Sequence, residues 1–133
     1  MTQHFIKVKE LLTELDYEIT YASENECVFV VSDERSGISN MVLGCADPIL
    51  ILEQFIFEVK DASASTYVRL LQKNRDIIHG AFVLDESGKK VIFRDTLELE
   101  NLDSNELEAV FNSLGLLLSE FSNELIELSK TKK

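Results

Sequence analysis

The sequence predicts an α+β fold: a curved antiparallel sheet with helices packed on it, in the order α-β-β-(β)-β-α-β-β-α. Three observations carry this. The chain closes on a long run of apolar residues at three- and four-residue steps. Two pairs of β-prone runs flank short polar turns. A single proline and five glycines leave little material for linkers, so residues 1–133 are expected to form one domain. At that length a core can be buried without metal or disulfide staples.

Taken in order, Thr2 to Asp16 reads as an amphipathic helix with Phe5, Val8, Leu11, Leu12 and Leu15 on its inward face. The pattern then switches to period two, with Tyr17, Ile19 and Tyr21 alternating against Glu18 and Thr20. Across the polar turn Ser23-Glu24-Asn25-Glu26, the β-branched and aromatic run Cys27 to Ser32 completes a hairpin. Asp33-Glu34-Arg35-Ser36-Gly37 is expected to be a loop or turn. Ile38 to Cys45 looks like a strand, and Asp47-Pro48 marks a break. Ile49 to Glu58 is strongly β-prone and is read as a strand, although a buried helix has the same apolar run. At a sheet edge it would invite pairing with a second chain.

Asp61 or Ser63 can cap a helix running to about Asn74, with Ala64, Tyr67, Val68 and Leu71 on one side. Ile77 to Leu84 and Lys90 to Glu98 form a second hairpin around Asp85-Glu86-Ser87-Gly88, where Gly88 supplies a positive φ. The last helix starts at the capping-box pattern Asp103-Ser104-Asn105-Glu106. Its stripe comprises Leu107, Val110, Phe111, Leu114, Leu117, Leu118, Phe121, Leu125 and Leu128. At about 100° per residue these positions share a sector roughly 120° wide. Acidic residues gather at its N-terminal end, and Lys130, Lys132 and Lys133 lie beyond the other, as the dipole favours. Leu116 stands opposite the stripe, Ile126 at its margin, and Gly115 lowers local helix propensity.

The formal net charge is −11 and the excess is uneven: residues 1–60 carry 4 basic and 11 acidic residues, residues 61–133 carry 9 and 13. Such a field repels phosphate backbones and anionic lipid, so neither nucleic acid nor membrane is an expected partner. It favours basic protein partners, or serves solubility alone. No stretch approaches the roughly 18 apolar residues of a membrane span. Lys7, Lys9 and Glu10 interrupt the N-terminal apolar residues, so no secretory segment is expected and the location is read as cytoplasmic. Cys27 and Cys45 sit in apolar runs and are expected to be buried, reduced thiols.

No arrangement of residues carries catalysis, and no cofactor or metal is expected. Around Asp85 the third and fifth positions of a calcium loop would be Ser87 and Lys89, and the twelfth Thr96. The glycines never approach phosphate-loop spacing, and Ser36, Ser39 and Ser87 lack a nucleophile elbow. His4 and His79 have no ligand partner at helical or turn spacing. Glu53 and Glu58 are either acids in a cavity or members of an exposed strand face. Arg94-Asp95 reads as a cross-strand or local ion pair.

Several of these segments carry a resemblance. Tyr67 to Asn74 ends in Leu71-Gln72-Lys73-Asn74, a Leu-x-x-Asn close to a helix. Phe82-Val83-Leu84-Asp85 and Gly88 to Phe93 form the hairpin, and Leu97 to Asp103 runs into the last helix. With the element order, they resemble the YbjN-like family, whose fold is that of the type III secretion chaperones. The resemblance implies a small acidic domain of the class-I chaperone type, commonly homodimeric, offering apolar patches to an extended partner segment. It implies no catalytic residues.

The reading that follows is a non-enzymatic protein-binding, chaperone-like or regulatory module, homodimeric, holding a partner segment on an apolar sheet or helix surface. The candidate partner or dimer surface is Ile49, Ile51, Phe55, Phe57, Leu116 and Ile126. The alternative is a small-molecule-binding regulatory domain with a cavity between sheet and helix, using Glu53 or His79 as its polar handle.

Overall fold

The periodicities described above become the following elements: α1 (Thr2–Glu14), β1 (Glu18–Ser23), β2 (Val28–Asp33), β3 (Ile38–Ala46), β4 (Ile49–Glu58), α2 (Ala64–Asn74), β5 (Ala81–Leu84), β6 (Lys90–Glu98) and α3 (Ser104–Ser129). The structure, a computed structural model, describes residues 2–60 and 62–130. Asp61, Lys132 and Lys133, named above as helix-end residues, lie outside the described residues. The Asp103 carboxylate accepts from the Glu106 N–H at 2.8 Å, and the Glu106 carboxylate accepts from the Asp103 N–H at 3.2 Å. The expected capping box therefore opens α3.

All strand pairings are antiparallel, and the sheet order is β1-β2-β3-β4-β6-β5. β4 is consequently an interior strand, paired with β3 on one side and β6 on the other. The expectation of a free edge at β4 is corrected, because β6 returns across the sheet to cover it. The edges are β1 and β5. β1 carries an irregularity between Ile19 and Tyr21, a kink of the kind that blunts edge pairing.

The helices pack on one face of the sheet. Phe29, Val31, Met41, Leu43, Leu50, Leu52, Val91 and Phe93 point into that face and are buried under the α3 stripe and Val8 and Leu12 of α1. Phe5 stacks on Phe29 with ring centroids 4.7 Å apart, and Tyr17 meets Phe111 at 4.3 Å. Gln54 is the buried polar exception in β4. Its amide accepts from the Ser39 N–H at 3.0 Å and donates to the Gly37 carbonyl at 3.3 Å, tying down the corner where β3 begins. The single turn of 3-10 helix at Glu34–Ser36 then rests on α3 at Gly115, where a Cβ would stand 2.9 Å from the Ser36 carbonyl oxygen. The weak helix former is there because backbone approaches backbone.

Several boundaries differ from the sequence reading. α1 stops at Glu14 because Asp16 takes a positive φ of 67°. The expectation of reduced thiols is overturned: Cys27, buried as expected, and Cys45 are joined as a disulfide with Cα atoms 5.5 Å apart. Val28 pairs with Gly44, so the flanking cysteines face each other across β2 and β3. β5 begins at Ala81, not Ile77, because residues 77–80 turn toward α3. There the Ser113 hydroxyl accepts from the His79 N–H at 3.2 Å and donates to the His79 carbonyl at 2.7 Å. Arg94 pairs with Glu53 at 2.6 Å, not with Asp95, since the β4–β6 register sets Glu53 beside it.

The Leu-x-x-Asn that closes α2 has a clear task. The Asn74 amide accepts from the Phe82 N–H at 2.7 Å and donates to the Phe82 carbonyl at 3.2 Å, occupying the outer backbone groups of β5 as a neighbouring strand would. Asn74→Ala would strand both groups beside a buried residue. The expected loss is about 1–2 kcal/mol in urea unfolding, with increased self-association through the uncovered edge.

Candidate functional site

Because side chains alternate across a sheet, the same register that fills the core leaves the opposite face without a helix. Val30 and Val42 pair across β2 and β3, Gly44 faces Ile51, and Phe55 pairs with Ile92, which in turn pairs with Val83. These residues are partly or fully exposed, with Phe55 at 55 %. Among them sits one ion pair, Glu53 with Arg94, between half-exposed side chains in the middle of the face. The result is a pleated, largely apolar surface with this ion pair in its middle and Thr96 opposite Ile51. It can hold side chains from an extended or helical segment, and apolar surface of this extent marks an interaction site more often than a bare exterior.

Four of the sequence-derived surface residues, Ile49, Ile51, Phe55 and Phe57, belong to β4, and Ile49, Ile51 and Phe55 share this face. Phe57 does not. The β4–β6 register shifts between Phe55 and Phe57, so Ile56 is skipped and Phe57 comes opposite the fully buried Val91. Phe57 is 8 % exposed and is a core residue. Counting in twos along the sequence cannot detect the bulge that turns it inward.

Leu116 and Ile126 lie elsewhere, on α3. Leu116 is 52 % exposed and forms a ridge between two grooves, one walled by residues 76–79 and the other by Arg35, Ser36 and Gly37. Ile126 is also exposed and borders a depression with Ile56 and Leu125. A further patch was not singled out from sequence: Val68 and Leu71 of α2 and Leu84 of β5 are all exposed. The α2 periodicity did place Val68 and Leu71 on one side, without saying whether that side is buried. The buried positions of α2 are instead Thr66, Leu70 and Lys73.

The chemistry of these surfaces is that of contact. Glu53, offered above as the polar handle of a cavity, lies on the open face and is neutralised by Arg94, so it cannot serve a space between sheet and helices. His79 lines the α3 groove and not an enclosed chamber. Among the described residues no group of three or more His, Cys, Asp or Glu side chains is gathered as a metal site requires. Among the same residues no helix is long and apolar enough to cross a membrane.

The fold has solved counterparts. YbjN from E. coli superposes with a TM-score of 0.73 at 10 % identity, over 96 % of this chain and 96 % of that one. The Yersinia pestis type III secretion chaperone SycH, solved with a stable fragment of YscM2, gives 0.58 at 17 %, over 95 % and 99 %. A chain of the ExsC–ExsE complex gives 0.63 at 18 %, over 96 % and 98 %. These identities establish the shared fold alone. No curated protein sequence matches the chain. The CesT_Tir_1 family model, by contrast, matches residues 1–131. A match over nearly the whole length is decisive: the chain belongs to the CesT_Tir_1 family.

Proposed function

We propose that this chain is a non-enzymatic, single-domain, chaperone-like or regulatory module that holds a segment of a partner protein on its open sheet face. The observation that carries this is Phe55, 55 % exposed in an interior strand, paired with Ile92 on the sheet face that also carries Val42 and Ile51 and on which no helix packs. An interior strand usually buries such a residue, and leaving it in water suits a surface that is covered part of the time. SycH and the matching chain of the ExsC–ExsE complex share the fold and were solved with protein partners, which supports a protein as the occupant here. A net charge of −11 favours basic segments and a cytoplasmic module that stays soluble between encounters. The module acts as a homodimer, with the exposed Val68, Leu71 and Leu84 patch supplying apolar area for the second copy.

The experiment compares affinity capture from a lysate of the source cells using the wild type and Phe55→Asp. Specific partner bands should fall at least about tenfold for the variant, as expected when a charge is set into the centre of an apolar contact. Equal recovery by both would remove the sheet face from the proposal. Light scattering reads the oligomer: the wild type should be dimeric and Leu71→Asp monomeric. A wild type that stays monomeric throughout the micromolar range would dispose of the dimer.

A further inference from the structure

We infer that the groove between residues 76–80 and the middle of α3 is a second docking site, for a partner segment that presents a large apolar side chain beside lysine or arginine. The groove belongs to the helix layer, not to the open sheet face, so it goes beyond the function proposed above.

Its geometry begins with Gly80, whose φ of +85° turns the chain sharply before β5. The two hydrogen bonds between Ser113 and the His79 backbone then fasten the turn to α3. A wall held this way is formed before any ligand arrives, which removes part of the ordering cost of binding. Ile78 stands on that wall 76 % exposed, and Leu116 forms the facing wall from α3. Ile77 and Phe121 contribute to the lining, and the volume of the open groove is about 300 Å³. That is at the small end for a ligand pocket, roughly 300–1,000 Å³, and among the described residues no convergent buried polar groups line it to orient a metabolite. Side chains from a peptide fit the description better.

Charge selects which peptide. Asp76 and Glu120 both line the groove, one from each wall, and neither takes part in an ion pair among the described residues. Lys73, on the adjoining turn of α2, is occupied by Glu124. An apolar side chain seated between Ile78 and Leu116 would thus have carboxylates at the rim on both sides. A neighbouring lysine or arginine completes them, whereas an acidic segment would be repelled.

The test uses a short dye-labelled peptide containing leucine, phenylalanine and several lysines, read by fluorescence anisotropy. Two companions are needed, one with the lysines replaced by glutamate and one with the apolar residues replaced by serine. Only the first should bind, and added salt should weaken it. Ile78→Ser with Leu116→Ser should reduce affinity about tenfold, a loss near 1.4 kcal/mol. Both positions are exposed, so circular dichroism should show an intact fold. Asp76→Asn with Glu120→Gln should weaken the lysine peptide and flatten its salt dependence. Phe55→Asp should leave binding unchanged, which separates this site from the sheet face. Equal binding of the glutamate peptide, or indifference to the double serine variant, would overturn the inference. So would loss of binding in Phe55→Asp. Dimerisation abolished by the double serine variant would assign the groove to a second copy of the chain and overturn it equally.

Discussion

Gly80→Ala is expected to cost the fold about 3 kcal/mol, more than most single-atom insertions in a chain of this size. Two penalties add. The residue holds φ at +85°, where an L side chain costs roughly 1–2 kcal/mol. The new methyl would also stand 2.5 Å from Cζ and 2.7 Å from Cε1 of Phe93, and 3.1 Å from the Arg94 carbonyl oxygen. Phe93 is fully buried, so its ring has nowhere to retreat, and forced repacking of this kind adds roughly 1–3 kcal/mol. Gly88→Ala is the internal control. It holds φ at +75° but has nothing within 4 Å of the added Cβ, so only the backbone penalty should appear, about 1 kcal/mol. Urea unfolding of both variants checks the difference. Equal losses at the two positions would mean that Phe93 does not constrain the turn, and that the groove wall it underlies is softer than described.

The same turn marks the boundary of what the sequence could disclose. The long helix, both outer hairpins and the two-fold alternation of β4 were readable because each is a local periodicity backed by cap or turn chemistry. Asp103 with Glu106 and Gly88 in its turn are fully local devices and stand where they were expected. The misplacements share another cause. That β4 is interior depends on β6 returning to pair with it, a contact some forty positions away that no window of sequence contains. Phe57 was turned inward by a bulge at Ile56, and Cys27 met Cys45 through the β2–β3 register. Register is a property of two strands together. The candidate surfaces followed the same division. Leu116 was visible as an apolar residue on the wrong side of a stripe. The patch on α2 was not, because the apolar side of α2 is the exposed one, while Thr66 and Lys73 join Leu70 on the buried side.

That inversion in α2 supplies the second large effect. Lys73 is buried because its aliphatic stem lies against α3, with the ammonium 4.9 Å from the centre of the Phe121 ring and 2.5 Å from a Glu124 carboxylate oxygen. The other Glu124 oxygen accepts from Arg69 at 2.9 and 3.2 Å. Glu127 adds a longer contact to the same guanidinium, 3.5 Å. One carboxylate thus joins two cations on α2 to the second half of α3. Glu124→Gln keeps the shape but leaves the Lys73 ammonium, on a side chain only 9 % exposed, without a counter-charge. Uncompensated buried charges of this kind cost about 3–5 kcal/mol; Glu124 itself is a third exposed, so about 2–3 kcal/mol is expected. Lys73→Met removes the charge and keeps the stem, and Arg69 still satisfies the carboxylate. Its cost should stay within about 1 kcal/mol, and adding it to Glu124→Gln should recover most of the loss. The pH dependence has a definite sign. Hydrogen bonds from Lys73 and then Arg69 hold the Glu124 carboxyl below its ordinary value of 4.5 in the folded chain. The stabilisation is therefore complete above 4.5 and lost as pH falls through the lower folded value. Urea unfolding of wild type and Glu124→Gln should consequently converge in acid and separate toward neutrality. A gap that stays constant through that window would show that the carboxylate acts through shape and not through charge.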